Sequence, residues 1–555
     1  MRSRRQPKSV VLLSAPKGGG ALRNRLDGLL SRFTFYAAIL VLVVALTATM
    51  RSQPSAGHEA ERASFTGGHV AAPGTPAPGQ TATPVLRQGQ WFQQPGLPVV
   101  IAYRLVCSLA NDDAAAASIK WLDAVGSVEA DGRSFWLFGD SFLLGEPGAE
   151  AYLAAPVAVS TDTDASDCVS MTYKASDGKA VPLFATKNDE TTAWPDGSIA
   201  LEPGYVNFYF ASVVRESPTE WHVRHIGLGR FDTQEMRGER IVEKLWDADS
   251  GFGAAVNGAR SPIRLGDYVM VFLHTSDGRH ILARTPARSL GEASAYSYWT
   301  GESWSTDPAA ARSLWDEPES PFPKHNGLSV RYNQFLGKWL AIYNADLSTL
   351  RVRTAQDLTG PWSDELEWLD CGLIFGDSWP LCYSAEQNSY LARDDGRTLY
   401  VTLSSTFPYA AWLVEFRLGA AVHQWRDSSG RLAYGTLPPS PGYIDEGVSF
   451  YASDVPVPGF SAMYAWEKDG ERIYSPSSPG PEFVRRELAF YASTSPRVVG
   501  SRVAYDPIYR WDLGLSHLYS PAPTGLEVTG YERGPVAFYA VCGDANLDRV
   551  SDCLQ

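Results

Sequence analysis

The chain has 555 residues, of which 44% are hydrophobic, 12% aromatic and 20% charged, a composition that supports several folded cores. Its formal net charge is −14, although residues 1–32 contain eight basic residues and only one acidic residue. The rest of the chain is therefore strongly acidic and has no basic patch, which excludes a nucleic-acid-binding function because phosphate contacts need clustered Lys and Arg.

Residues 33–50 contain no charged side chain and lie between Arg32 and Arg51. Eighteen uncharged, mainly apolar residues are near the lower limit for a membrane-spanning helix, and the basic flank at 1–32 predicts that the N-terminus stays in the cytoplasm. We therefore predict a single-pass cell-membrane protein with the bulk of the chain exported. A cleaved signal peptide followed by secretion is the alternative, but the preceding tail is long and no clear cleavage motif follows.

Residues 51–95 are rich in Pro, Gly, Ala and Thr without periodicity, which predicts an extended linker. All six cysteines follow this linker, and an even number of cysteines in an exported chain indicates disulfide bonds. Their spacing favours the local pairs Cys371–Cys382 and Cys542–Cys553. The absence of any CxxC or CxxH spacing argues against a cysteine-ligated zinc site.

One sequence unit recurs five times between residues 130 and 405. It consists of a turn glycine, a mainly apolar strand and a small polar side chain eight or nine positions after the glycine. The glycines are 59 to 72 residues apart, a period that suits four-stranded blades with loops. They are Gly132, Gly204, Gly266, Gly337 and Gly396. We predict an all-β fold with a five-bladed β-propeller over residues 96–420, and a β-sandwich with glycine turns is the alternative.

Equivalent strand ends lie on one face of a propeller, so the polar residues that close the five repeats are expected around one mouth. These residues are Asp140, Ser212, His274, Asp346 and Ser404. Two further residues are candidates for substrate binding. Glu386 precedes the fifth repeated strand, and Trp194 is predicted in a loop where its ring can stack on a sugar.

The first repeat predicts a specific pairing of two aspartates. Asp131-Gly132 is a strong signal for a two-residue hairpin turn, so paired residues have numbers that sum to 263 and Asp123 faces Asp140. Opposed Cβ atoms are about 4.5–5.5 Å apart, and two carboxylates so placed repel and retain one proton. A glycosidase needs one ionised and one protonated carboxylate, which makes these the predicted catalytic residues. Their alternative role is that of ordinary turn caps.

Two other motifs have simpler interpretations. Asp196 lies in a Trp-Pro-Asp-Gly stretch that reads as a plain turn. His222 and His225 have an odd spacing that would point their rings to opposite faces of a strand, so we interpret them as ordinary strand histidines rather than metal ligands.

Several stretches resemble a bacterial propeller domain family long labelled as of unknown function, which includes endo-D-arabinanases. The similar pieces occur in the same order over about residues 96–420, and they are 123–128, 131–142, 252–256, 281–286, 298–304 and 354–362. The segment that ends in Gly-Asp140-Ser-Phe is the most specific of them. The resemblance implies a five-bladed propeller and, for some members, cleavage of furanosidic polysaccharide by the first-blade aspartates, which here are Asp123 and Asp140.

A different repeat occupies residues 421–541. Three tryptophans (Trp425, Trp466 and Trp511) are each followed by a tyrosine, and each unit closes with Phe-Tyr-Ala. Units of this length cannot hold separate cores, so we predict a threefold β-trefoil-like module in which the tryptophans share one core and are equally buried. The module resembles aromatic repeats appended to secreted bacterial enzymes and is a candidate for carbohydrate binding. A structural cap is the alternative.

The tail, residues 542–555, has oxygen-bearing side chains at spacings that imitate a calcium loop: Asp544, Asn546, Asp548 and Asp552. It lacks the central glycine and the final bidentate glutamate, so a solvated acidic tail is the alternative. We expect no other cofactor.

Together these features predict an exported glycoside hydrolase acting on a neutral, furanose-containing polysaccharide such as arabinan, in the cell envelope or on a cell surface. The alternative is a non-catalytic carbohydrate-binding or adhesin protein in which the propeller is only a scaffold.

Overall fold

The computed structural model describes twelve segments of the chain: 97–146, 152–187, 189–215, 221–247, 256–275, 279–315, 327–344, 348–375, 382–406, 408–496, 505–521 and 530–542. The predicted tail, membrane segment and linker at 1–32, 33–50 and 51–95 lie outside these residues, as do Asp346 and the four candidate calcium ligands. Within the described segments, no helix has the length and apolar character needed to cross a membrane.

Almost all the described residues belong to one compact unit that comprises 81–214 and 222–555. The second unit, 1–80 with 215–221, contributes only Arg215 and Trp221 to the described residues. In the described segments the helices are short, α1 (Asp112–Ala116) and α2 (Cys371–Phe375), and five single 3₁₀ turns occur at Ala287–Ser289, Ala293–Ala295, Pro308–Ala310, Ser389–Leu391 and Asp394–Gly396. Nearly all regular structure is antiparallel β-sheet, so the predicted all-β class is confirmed.

Five antiparallel sheets fill most of the chain between residues 100 and 418. The first contains β3 (Gly126–Ala130), β4 (Arg133–Leu137), β7 (Val157–Ser160) and β8 (Thr172–Tyr173). The second contains β11 (Thr192–Glu202), β12 (Tyr205–Arg215), β13 (Trp221–Asp232) and β14 (Gly238–Asp247). The third contains β15 (Val256–Leu265), β16 (Tyr268–Thr275), β17 (His280–Pro286), β18 (Ser297–Trp299) and β19 (Trp304–Ser305).

The fourth sheet contains β20 (Leu328–Asn333), β21 (Lys338–Asn344), β22 (Thr349–Ala355) and β23 (Leu366–Asp370). The fifth contains β24 (Cys382–Gln387), β25 (Thr398–Thr406), β26 (Tyr409–Leu418) and, at its outer edge, β1 (Val100–Ser108). Two smaller sheets accompany them. These are β2 (Ile119–Leu122) with β5 (Asp140–Leu143) and β6 (Tyr152–Ala154), and β9 (Ala175–Ser176) with β10 (Lys179–Ala180).

The first strands of the five sheets contact one another in sequence. Strand β3 contacts β11, β11 contacts β15, β15 contacts β20, β20 contacts β24, and β24 contacts β3, so the contacts form a ring. Each repeat glycine lies between the first and second strand of a different sheet. All five have a left-handed φ between 59° and 91°, which explains the choice of glycine at this turn.

Apolar side chains pack between adjacent sheets. Between the first and second sheets, for example, Phe135 of β4 lies with its ring centroid 5.5 Å from that of Phe231 in β13, and Phe208 of β12 completes the cluster. All three side chains are almost fully buried. Because each cluster holds two neighbouring sheets together, the sheets are fixed relative to one another and so are the ends of their first strands.

Two disulfide bonds lie within the described residues. Cys371–Cys382 was expected from its spacing and is confirmed, and Cys107 pairs with Cys168. Cys542 is also disulfide-bonded, although Cys553, its predicted partner, is outside the described residues.

The C-terminal region forms two sheets. The first contains β27 (Ala420–Arg426), β28 (Leu432–Gly435) and β29 (Ile444–Ala452). The second contains β30 (Phe460–Lys468), β31 (Glu471–Ser475), β32 (Val484–Ser493), β33 (Asp506–Leu513), β34 (Ser516–Ser520) and β35 (Glu532–Ala540). Each sequence repeat supplies a hairpin and one longer strand, such as β27–β28 with β29.

A cyclic set of hydrogen bonds joins the three repeats. The backbone N–H of Tyr434 donates to the Tyr474 hydroxyl (2.7 Å), that of Tyr474 donates to Tyr519 (3.0 Å), and that of Tyr519 donates to Tyr434 (3.2 Å). Phe450 and Phe490 pack beside this ring within the same core. The shared centre of the three repeats is therefore built from tyrosine and phenylalanine.

The predicted shared tryptophan core is wrong. Each tryptophan makes the same local bond, from its Nε1 to a backbone oxygen on the neighbouring strand at 3.1 Å, but only Trp511 is fully buried. Trp425 and Trp466 are half-buried. The tryptophans anchor the individual hairpins, and the tyrosines, which lie on the partner strands, point to the centre.

This difference in burial predicts unequal effects of substitution. Trp511→Ala should lower the free energy of unfolding by about 3–5 kcal/mol, the usual loss for a large aromatic side chain truncated in a core. Trp466→Ala, which loses the same hydrogen bond from a partly exposed ring, should cost clearly less. Urea unfolding of the full-length variants measures both, and equal losses would contradict the assignment of burial.

Candidate active site

The hairpin register that was predicted from Asp131-Gly132 is present. Strands β3 and β4 pair from Ala130↔Arg133 to Gly126↔Leu137, and the same relation returns in β2 and β5 with Leu122↔Ser141. Asp123 directly follows β2 and Asp140 opens β5, each next to a residue of the pair Leu122↔Ser141. The Gly139 N–H donates to the Asp123 carbonyl oxygen at 2.9 Å, which holds the two segments together at this point.

Gly139 permits the close approach of the two segments. A Cβ atom at this position would lie 2.8 Å from Asp123 Oδ1 and 2.8 Å from the Ala124 Cβ. Any larger residue would displace the Asp123 carboxylate. The Gly-Asp pair in the sequence motif is therefore explained by space for the opposite aspartate.

Asp123 is 7% exposed and is held by two tyrosines. The hydroxyls of Tyr383 and Tyr409 both donate to its Oδ2, at 2.7 and 2.5 Å. Burial is the largest cause, and the negative charge of Asp123 the second, of a pKa that lies well above the ordinary value for both tyrosines. Both hydroxyls therefore stay protonated and act as donors. Donors to a carboxylate stabilise its charged form.

Asp140 is 5% exposed and has a similar pair of donors. The Tyr152 hydroxyl and the Trp194 indole N–H donate to Oδ1 at 2.5 and 2.6 Å. The Tyr409 hydroxyl lies 3.4 Å from the backbone oxygen of Asp140, so one tyrosine contacts both aspartates. Two buried carboxylates with aromatic hydrogen-bond donors thus form one cluster.

Ser404 supports this cluster through the backbone. The Ala124 N–H donates to Ser404 Oγ at 2.7 Å, and Ala124 has a left-handed φ of 47°. A non-glycine residue in this conformation is strained, and such strain is found where a neighbouring side chain must be aimed. Ser404 therefore positions the segment that carries Asp123.

The first strands of three other sheets are irregular at a similar place. Pairing shifts between Pro195 and Ser198 in β11, between Arg260 and Ile263 in β15, and between Tyr383 and Glu386 in β24. Bulges of this kind re-aim side chains and are common beside active sites.

The first strand of each of the five sheets, or the residues just before it, contributes to one small cavity. Its volume is about 20 Å³, room for about one water molecule, and its lining includes Ala124, Asp196, Arg260, Arg331 and Glu386. The cavity is therefore the place where the bulged segments meet.

Two ion pairs occupy the lining of this cavity. Arg260 Nε lies 2.5 Å from Asp196 Oδ1, and Arg331 Nη2 lies 3.3 Å from Glu386 Oε1. Burial raises the pKa of both carboxyls, against the lowering effect of the arginines. The plain-turn interpretation of Asp196 is wrong, because the residue is buried within β11 and its Oδ2 accepts the Ala259 N–H at 2.7 Å.

The remaining predicted substrate-binding residues have varied positions. Ser212 is buried and donates to Glu190 Oε2 at 2.7 Å, and the ring of His274 packs 5.3 Å from that of His280. Trp194 lies in strand β11 and not in a loop as expected. Asp346 is outside the described residues, and substrate contact by any of these side chains stays a prediction. His222 and His225 both lie in β13, as expected.

Sequence reasoning missed the three tyrosines that bind the aspartates. Tyr383 lies three residues before Glu386, so its segment had been singled out but not this side chain. Tyr152 and Tyr409 carry no signal, because each is one aromatic residue among many in an ordinary strand. Only the folded chain brings Tyr409 beside Asp123, from which it is 286 residues away.

The fold and the paired aspartates define an all-β protein with an acidic site at the meeting point of several sheets. The chain belongs to the family described as "Domain of unknown function (DUF4185)", whose model matches residues 118–415, more than half of the sequence. The resemblance inferred from the segments around Asp123 and Asp140 is thereby confirmed.

Solved structures with detectable similarity include carbohydrate-active enzymes. An α-L-arabinofuranosidase from Podospora anserina, in complex with cellotriose, is 11% identical; the match covers 58% of this chain and 98% of that one, with a TM-score of 0.37. An exo-1,5-α-L-arabinanase from a bovine ruminal metagenomic library is 12% identical, with coverages of 57% and 98% and a TM-score of 0.34.

An arabinanase from Bacillus subtilis is also 12% identical, with coverages of 53% and 94% and a TM-score of 0.31. The similarity at these scores is too low to locate a site. Comparison with curated proteins gives no significant sequence match.

The tyrosine donors lead to a stability prediction. Tyr409→Phe keeps the ring but removes a donor to the buried Asp123 carboxylate, so the free energy of unfolding should fall by about 1.5–3 kcal/mol, the range for a hydrogen bond to a charged group. The matched control is Tyr332→Phe, whose ring is 51% exposed. Thermal and urea unfolding compare the two variants, and equal stabilities would contradict the role assigned to Tyr409.

Proposed function

We propose that this protein is a glycoside hydrolase that acts on a neutral, furanose-containing polysaccharide such as arabinan, with Asp123 and Asp140 as its catalytic residues. The observation that carries the proposal is a pair of buried carboxylates, Asp123 and Asp140, which one tyrosine contacts together and which each accept hydrogen bonds from two aromatic donors. A carboxylate pair of this kind is what glycoside hydrolysis needs. The resemblance of residues 123–128 and 131–142 to a family that includes endo-D-arabinanases supports a furanose substrate.

The scaffold that fits this function is a five-bladed β-propeller followed by a β-trefoil-like module. Five sheets whose first strands contact one another in a ring support the propeller, as does the pairing of β1 with β26 in the last sheet. The cyclic hydrogen bonds among Tyr434, Tyr474 and Tyr519 support a threefold axis in the module.

In the proposed mechanism one aspartic acid, in its protonated form, protonates the glycosidic oxygen so that the aglycone leaves as an alcohol, while the other, as a carboxylate, attacks the anomeric carbon and forms a glycosyl ester. Opposed side chains in an antiparallel pair have Cβ atoms about 4.5–5.5 Å apart, and a separation of about 5 Å between the carboxyl groups is typical of retaining enzymes. The covalent intermediate is then hydrolysed by water, with the first carboxyl acting as base. The net reaction retains the anomeric configuration.

Conservative substitutions test the site. Asp123→Asn and Asp140→Asn should each lower the release of oligosaccharides from arabinan by about 10²- to 10⁴-fold, the contribution of general acid–base catalysis, while the fold is kept. Asp267→Asn, an exposed aspartate at the turn before β16, is the matched control.

The assay uses the full-length protein on a panel of arabinans and galactans, with circular dichroism to check folding. Full activity in both single variants would reject the site. Lack of any released oligosaccharide with the unsubstituted protein would favour the binding or adhesin function. Inversion of the anomeric configuration in the first product, observed by NMR, would reject only the retaining mechanism.

We also propose that residues 33–50 anchor the protein in the cell membrane with residues 51–555 exported, which rests on the charge step at Arg32. The full-length protein should be found in membrane fractions, begin near Met1 and resist extraction by salt. A soluble protein that begins near residue 50 would instead demonstrate signal cleavage.

A further inference from the structure

A second cleft lies in the C-terminal module, where the hairpin turns of the three repeats meet. Its volume is about 400 Å³, within the range of about 300–1,000 Å³ that is usual for small-ligand sites. Each repeat contributes to its walls: Arg431 from the first, Glu467 and Arg472 from the second, and Leu515 and His517 from the third. None of these side chains belongs to the aspartate site.

The charges in the wall of this cleft are paired within the protein. Arg431 Nε lies 2.7 Å from Asp427, and Arg472 Nη1 lies 2.7 Å from Glu467. Arg472 also forms an ion pair with Glu487 and donates from Nε to the Tyr474 hydroxyl at 2.9 Å. Because the guanidinium groups are already neutralised, the cleft offers little net attraction to an anion.

Paired side chains still suit an uncharged ligand with many hydroxyl groups. A hydroxyl both donates and accepts, so it can bind a carboxylate oxygen and a guanidinium N–H of the same ion pair. The fixed geometry of Arg472, which is held by three partners, presents such a pair without the entropic cost of ordering a free side chain.

The cleft lining also includes apolar side chains that are unusually exposed. Leu513 is 42% exposed and Leu515 is 60% exposed, at the turn between β33 and β34. The corresponding turn of the second repeat, between Lys468 and Glu471, is Asp469-Gly470, so the hairpin does not need a leucine for its fold. An exposed leucine beside fixed ion pairs provides a surface for the C–H face of a sugar ring.

We propose that this cleft, formed by the turns at 427–432, 467–472 and 513–517, is a binding site for a neutral oligosaccharide of pentose or hexose units. Sugar hydroxyls bind the Arg472–Glu467 pair, and the C–H face packs on Leu513 and Leu515. The inference does not depend on the proposed catalysis, since its residues and its test are separate from Asp123 and Asp140.

The test titrates full-length protein with four neutral probes (arabinotetraose, galactotetraose, mannotetraose and cellotetraose) and one anionic probe, tetragalacturonate. Calorimetry gives affinity, and hydrogen–deuterium exchange locates binding. We expect at least one neutral probe to slow exchange in peptides covering 427–432, 467–472 and 513–517, with little effect of tetragalacturonate there.

Substitution of one exposed leucine separates a specific site from general adhesion. Leu515→Asp should weaken binding at these peptides about tenfold, the factor expected when a leucine no longer contributes apolar contact. Leu437→Asp, at a residue that is 76% exposed and outside the cleft lining, is the matched control and should bind normally.

Three results would overturn the proposal. The first is an absence of protection in these peptides with all four neutral probes. The second is equal binding by Leu515→Asp and Leu437→Asp. The third is equal protection by tetragalacturonate, which would indicate a site for acidic ligands.

Discussion

The burial of two carboxylates in one cluster is the main physical constraint on the propeller-like region of this protein. A buried charge without partners costs several kcal/mol, so Asp123 and Asp140 can be kept inside only if donors reach them. Tyr383 and Tyr409 supply these donors to Asp123, and Tyr152 and Trp194 supply them to Asp140. The donors come from β6, β11, β24 and β26, so the site is complete only when several sheets have assembled.

Local irregularity in the first strands follows from the same requirement. A regular strand alternates its side chains, so it cannot direct neighbouring residues toward one point. The bulges in β11, β15 and β24 and the left-handed φ of Ala124 break that alternation beside Asp196, Arg260 and Asp123. The carboxylates of Asp196 and Glu386, which line the cavity, form ion pairs with Arg260 and Arg331 on the adjacent first strands. The placement of these charged side chains and the contacts between sheets are therefore coupled.

In the C-terminal module, buried polar groups find their hydrogen-bond partners in another way, between repeats. Each central tyrosine accepts the N–H of the equivalent tyrosine in another repeat, so Tyr434, Tyr474 and Tyr519 satisfy one another only as a closed set. No repeat completes its own core. Outside this centre the repeats are free to differ, and the turn that bears Leu515 shows that they do. A symmetric interior thus supports an asymmetric cleft, whose walls come from different residues in each repeat.

The sequence by itself determined the all-β class, the five glycine turns, the Cys371–Cys382 bond and the register of the hairpin formed by β3 and β4, because turn chemistry and antiparallel register are local. The sequence did not predict the positions of side chains that depend on strand bulges or on contacts between distant parts of the chain. Asp196 reads as a turn but lies in a buried strand, and the tyrosine that contacts both aspartates is far away in sequence. The three tryptophans of the C-terminal module correctly predicted the period of its repeats, but they did not predict which side chains form its centre. Only the tertiary structure decided these points, since hydrogen-bond partners and burial depend on which sheets meet.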